Sequence, residues 1–105
     1  MSVNPEPVIP EGHNLFAIDI TYNVPLSEVD PHIDAHMAFI AKGYAEGRFL
    51  ASGAKVPRTG GMIIAIGAER SEIEALMAQD PFTIAGVVAL QITEFKAANV
   101  ADILK

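Results

Sequence analysis

The sequence contains no cysteine. That excludes a disulfide framework, a thiolate nucleophile and a cysteine-type zinc site, and it fits a reducing compartment. Basic residues are few. Seven Lys and Arg stand against 13 Asp and Glu, for a formal net charge of −6 and a pI near 4.8. The seven are scattered, so there is no basic stripe to neutralise phosphates and no polybasic patch for a membrane surface. Long hydrophobic runs are missing as well. The segments "MIIAIGA" and "IAGVVAL" fall far short of the ~20 residues that span a bilayer. The N-terminus lacks the basic start and long apolar stretch of a signal peptide. The expectation is a cytoplasmic protein that binds neither nucleic acid nor membrane.

What is present is a strongly apolar small chain. At 105 residues one domain is the natural count, and a chain of this size buries roughly two-thirds of its unfolded surface. Hydrophobic residues make up 50% and the mean hydropathy is +0.31, high for so thin an interior. The surplus apolar surface points to a homodimer or a higher homo-oligomer.

The opening "MSVNPEPVIPEGHN" holds three of the seven prolines and no periodicity. It reads as an extended Pro-rich arm over residues 1–14, followed by a single domain over 15–105. "LFAIDITY" alternates, with Phe16, Ile18, Ile20 and Tyr22 on one face of a half-buried strand. From Ser27 the period changes. Ile33, Met37, Ile40 and Tyr44 form one stripe of an amphipathic helix, started by Asp30-Pro31 and stopped at Gly47. "RFLASGAKV" is a second strand, "PRTGG" a turn, and "MIIAIGA" a strand apolar on both faces and hence central. Ser71 and Glu74 have the spacing of a capping box opening "SEIEALMAQ". "GVVALQITEFK" reads as the fourth strand and "AANVADILK" as a short terminal helix. The order β-α-β-β-α-β predicts a ferredoxin-like α+β sandwich with both helices on one sheet face. The other face then lies open unless a second subunit or a ligand covers it.

The residues able to carry chemistry are few. His36 lies about 60° off the apolar stripe of its helix, at the margin between buried and wet. There it is either an ordinary boundary histidine bonded to a carbonyl or water, or a group that exchanges protons with a ligand near neutral pH. His32 and His36 are four apart, a spacing that can chelate zinc, but the glutamate of the zincin pattern is missing. No metal site is expected. Asp80 interrupts "MAQDPFTIAGVVAL" together with Pro81. It can cap the turn that follows, since Pro81 keeps it out of helical geometry, or accept a ring N–H of His36 and so fix its tautomer. A cap uses one oxygen and leaves the other, so the two roles are compatible. Arg58, beside Gly60-Gly61, is either a solvated turn residue or a grip for a carboxylate. Ser52 lacks the setting of a nucleophile elbow and reads as a core-edge serine bonded to backbone. The segment "GAKVPRTGG" matches neither a P-loop nor a dinucleotide fingerprint.

"HMAFI" from His36, then "GRFLASGAKVPRTGG", "DPFTIAG" and a strand ending "ITEF" stand in an order and spacing that resemble the YCII-related (YciI-like) domain family. The resemblance runs from about Leu15 to Lys96. It implies a dimeric ferredoxin-like fold related to the dimeric α+β barrels, muconolactone isomerase among them. It also implies a site built from a His–Asp pair, here His36 and Asp80, with Ser52 and Arg58 lining the same cleft. One branch of the family removes chloride from a chlorinated hydroxyhydroquinone. The protein so expected is a small enzyme needing no cofactor. His36 would act as general base, Asp80 would orient it, Arg58 would anchor an anionic group, and Ser52 would hydrogen-bond a substrate oxygen. Isomerisation or elimination at a phenolic, enolic or lactone-like carbon acid would be the outcome. The competing expectation is a non-catalytic small-ligand-binding or oligomerisation module in which the pair only braces a corner.

Overall fold

The computed structural model describes residues 7–105; residues 1–6, the first part of the expected arm, lie outside the described residues. Four strands form one antiparallel sheet in the order β2-β3-β1-β4. They are β1 (Asn14–Tyr22), β2 (Phe49–Ala54), β3 (Gly60–Gly67) and β4 (Val88–Phe95). The doubly apolar β3 sits inside the sheet between β2 and β1, as its composition requires. Alternation in β1 buries Phe16, Ile18 and Ile20 against the helical layer, opposite Ala65, Ile63 and Gly61 of β3. Ile73 and Met77 close this core from α3 (Arg70–Met77). Each large apolar side chain so buried contributes on the order of 1.5–3 kcal/mol relative to exposure.

The crossover from β1 to β2 is three helical pieces rather than one. A single turn, α1 (Leu26–Val29), leads through a 3-10 turn (Asp30–His32) into α2 (Ile33–Ala45). Pro31 sits in the 3-10 turn, and Asp30 makes no capping bond, contrary to the expected start signal. The buried face of α2 also departs from the apolar stripe. Met37 and Tyr44 are 53% and 41% exposed, while Ile40 and Gly43 are buried. At 100° per residue, a face running through Ile33, His36, Ile40 and Gly43 is turned by roughly 50° from the stripe. Gly43 explains the turn. A Cβ at that position would collide with the Phe49 ring, so the helix packs there through its backbone.

The second helix begins two residues earlier than the Ser71–Glu74 spacing predicts. Glu69 is its N-cap, and the reciprocal bonds join Glu69 and Glu72, with Glu72 Oε1 accepting from the Glu69 N–H at 3.0 Å. After Ala78 the chain turns into α4 (Pro81–Ile84). The expected terminal helix is reduced to a 3-10 turn at Asp102–Leu104. Residues 97–105 and the described part of the arm flank a common groove that includes Ile9, Val100 and Leu104. No helix among the described residues is long and apolar enough to cross a membrane.

Two backbone features of the β2–β3 hairpin place side chains at one end of the helical layer. Gly60 lies against the Ile20 carbonyl, where any Cβ would clash. A register shift between Phe49 and Ala51 pairs Phe49 with Ala65 and Ser52 with Ile63. Without that bulge, residues three apart would face opposite sides of the sheet. With it, both point toward the helices.

Candidate active site

Asp80 is the one buried charged residue of the described chain, at 0% exposure. Its place follows from local sequence: Pro81 at the first position of α4 holds Asp80 extended (φ −62°, ψ 127°), the geometry of an N-cap. Oδ1 accepts the Phe82 N–H at 3.0 Å and lies 2.8 Å from His36 Nδ1. One oxygen thus serves cap and imidazole together, in place of the expected division of these roles between two. Oδ2 is buried with no partner among the described residues. A carboxylate that accepts from Nδ1–H fixes the tautomer and leaves Nε2 as the nitrogen available to a ligand.

The imidazole is held from a second direction. Phe82 stacks on His36 with ring centroids 3.9 Å apart and planes within 8°. Tyr22 in turn meets Phe82 edge-on at 5.9 Å. Only 14% of the His36 side chain is exposed, and what is exposed faces a cavity. Phe82 stands inside the "DPFTIAG" segment, but only the fold shows that the residue two past the cap lies parallel to the imidazole.

The cavity has a volume of about 310 Å³ and is bounded by α2, the β2–β3 hairpin and α4. Its walls are mainly apolar, including Ile20, Ile33, Met37 and Ile63, with His36, Ser52 and Arg58 among the polar groups. The structure therefore brings all four singled-out residues to one hollow, three as lining and Asp80 directly behind His36. Ser52 bonds to a side chain instead of backbone: its hydroxyl and that of Tyr44 share a 2.8 Å hydrogen bond. Arg58 is not a free turn residue. Its Nη2 donates to Asp30 Oδ1 at 2.9 Å, and its guanidinium carbon is 5.8 Å from the Tyr22 ring centroid. The Asp30 carboxylate, and after it the Tyr22 hydroxyl, raises the Arg58 pKa above its ordinary value. Sequence patterns gave no sign of the Asp30–Arg58 or Tyr44–Ser52 pairs, because each joins a helix to a hairpin. His32 does not line the cavity, and among the described residues no three His, Cys, Asp or Glu side chains group so as to hold a metal.

An antiparallel β-α-β-β-α-β sheet with both helices on one face, carrying an imidazole–carboxylate pair at a cavity, defines an α+β protein of the ferredoxin-like type. Within that class, the chain belongs to the YCII-related domain family, whose sequence model matches residues 15–96. Among solved structures it is similar to 5-chloro-2-hydroxyhydroquinone dehydrochlorinase (TftG) from Burkholderia phenoliruptrix AC1100, in complex with 2,5-dihydroxybenzoquinone. That likeness has a TM-score of 0.69 at 22% identity, over 78% of this chain and 93% of the other. A second similar structure is SnoaB, a cofactor-independent oxygenase from Streptomyces nogalater, with a TM-score of 0.49 at 14% identity, over 86% and 97% of the two chains. No protein of curated function matches the chain.

Proposed function

We propose that the protein is a small cofactor-independent enzyme in which His36, oriented by Asp80, moves a proton on a small phenolic, enolic or lactone-like substrate. The observation that carries this reading is a fully buried carboxylate 2.8 Å from the Nδ1 of a histidine that lines a cavity. In the proposed step, Nε2 takes a proton from the substrate, and the Asp80 carboxylate balances the imidazolium that forms. The electron pair left behind either delocalises and takes the proton back from the imidazolium at a different carbon, giving isomerisation, or expels a leaving group such as chloride. After such an expulsion His36 gives its proton to solvent. Ser52 hydrogen-bonds a substrate oxygen, and Arg58 is the lining cation beside which negative charge settles. The apolar walls favour a ring-sized, largely hydrophobic ligand. The remaining proposals are a cytoplasmic location and assembly as a homodimer or higher homo-oligomer through the open sheet face, where Met62, Ile64 and Ile66 lie partly exposed.

The test is turnover of a panel of phenols, enols and enol-lactones. It includes 5-chloro-2-hydroxyhydroquinone, the compound named for the dehydrochlorinase, with chloride release and proton exchange as readouts. In His36→Gln, which keeps an amide donor for Asp80, kcat is expected to fall by about 10²–10⁴. Undiminished turnover in that variant would remove His36 as the base. The double duty of Asp80 Oδ1, which also caps α4, favours a second reading: a ligand-binding or oligomerisation module in which the pair is a brace. Tight binding across the panel with neither chloride release nor proton exchange in the unaltered protein would select that reading.

A further inference from the structure

The charges around the cavity are already paired, and this constrains what can enter. Of the groups lining it, His36 and Arg58 are those able to carry positive charge. His36 faces Asp80 at 2.8 Å and Arg58 faces Asp30 at 2.9 Å. With His36 neutral, these four groups carry one net negative charge; a proton on His36 brings them to neutrality. A ligand arriving with its own carboxylate therefore meets a lining cation that a carboxylate of the chain already holds. The chain's formal charge of −6 adds no attraction. A neutral phenol or enol meets no such penalty. When its O–H bond breaks, the proton goes to His36 and the electron pair stays on oxygen, so the new anion arises beside a new imidazolium.

We propose that Asp30 is a specificity-determining residue: by pairing with Arg58 and neutralising it at the cavity, it makes the site admit neutral phenols and enols in preference to carboxylates. Negative charge is then made in the site and not carried into it. This rests on the reading of His36 as the base, and it narrows that reading's substrate class. The pair itself is half-open to solvent, with side-chain exposures of 38% for Arg58 and 55% for Asp30. Pairs of that exposure are weak, so the selection amounts to a factor of up to about fivefold, and removing the Asp30 charge releases the guanidinium without disturbing the core.

The experiment is an amide-shift titration of the full-length protein with three probes of similar size: phenol, benzamide and benzoate. Benzamide and benzoate differ chiefly in charge. The unaltered protein is expected to bind phenol and benzamide more tightly than benzoate. Asp30→Asn should tighten benzoate by about two- to fivefold and leave benzamide unchanged, and adding Arg58→Gln should erase that gain. A preference for benzoate in the unaltered protein would overturn the proposal. So would a benzoate-to-benzamide ratio that Asp30→Asn does not move. Either result leaves the proton-transfer reading standing, since the His36→Gln turnover assay decides that separately. If none of the probes shifts amides around the cavity, the selectivity proposal falls, and the turnover assay alone decides the proton-transfer reading.

Discussion

Replacing Asp80 in two ways separates its structural role from its chemical one. Asp80→Ala removes an acceptor that is 0% exposed and serves two donors, the Phe82 N–H and His36 Nδ1. Loss of an N-cap typically costs about 1 kcal/mol. A ring N–H left buried without its acceptor adds about 1–3 kcal/mol. Together these give about 2–4 kcal/mol, out of the 5–15 kcal/mol that stabilises a typical domain. For a chain near 100 residues that lowers Tm by about 10–25 °C. Asp80→Asn is different. Its Oδ1 can keep both hydrogen bonds, and its amide nitrogen takes the place of Oδ2, an atom with no partner among the described residues. The substitution also removes a buried charge, so stability should change by less than about 1 kcal/mol. What it cannot do is balance an imidazolium, so kcat should fall by orders of magnitude in a protein that melts almost normally. Paired thermal and urea melts with turnover assays measure both effects. Two outcomes refute the reasoning: Asp80→Ala melting within about 3 °C of the unaltered protein, or Asp80→Asn destabilised as much as Asp80→Ala.

Other perturbations test the frame that holds the pair. Gly43→Ala drives a methyl into the Phe49 ring; it should destabilise by about 1–3 kcal/mol in urea melts, and His36 amide shifts should move with the tilted helix. Light scattering should give a homodimer or larger mass for the unaltered protein. Ile64→Glu, on the open face of the central β3 opposite Ala17, should reduce it to a monomer, and an unchanged mass would place the interface elsewhere.

The fold was largely legible because its signals are local and redundant. Alternation in "LFAIDITY", two unbroken apolar strands and glycine-bearing turns all point to one β-α-β-β-α-β order. Each also survives the finer errors at helix starts. Those errors share a cause. Ser71 and Glu74 have the right spacing for a capping box, but Glu69 and Glu72 have it too. Which of them caps is settled by where β3 ends at Gly67, a tertiary matter. Asp30 looked like a cap for the same reason that Asp80 did, since both precede proline. One is buried under α2 and caps; the other is solvent-facing and holds an arginine from a hairpin 28 residues away.

The residues of the candidate site and the His36–Asp80 pairing were legible in the sequence, but the helix face that makes the pairing was not, and α2 shows why. A hydrophobic stripe predicts which side chains gain most from burial, not which face can come closest to its neighbour. Here close approach decides. Gly43 lets the helix backbone rest on Phe49, and that contact turns His36 inward and Met37 and Tyr44 outward. An inward histidine needs a polar partner in the core, and Asp80 supplies it. The outward pair is then placed to serve the cavity, Met37 as wall and Tyr44 as the partner of Ser52. The glycine is thus as much a determinant of the site as the His36–Asp80 pair it orients. Moving bulk from Phe49 to position 43, as in Gly43→Ala combined with Phe49→Leu, should restore both the helix angle and the stability lost by Gly43→Ala alone.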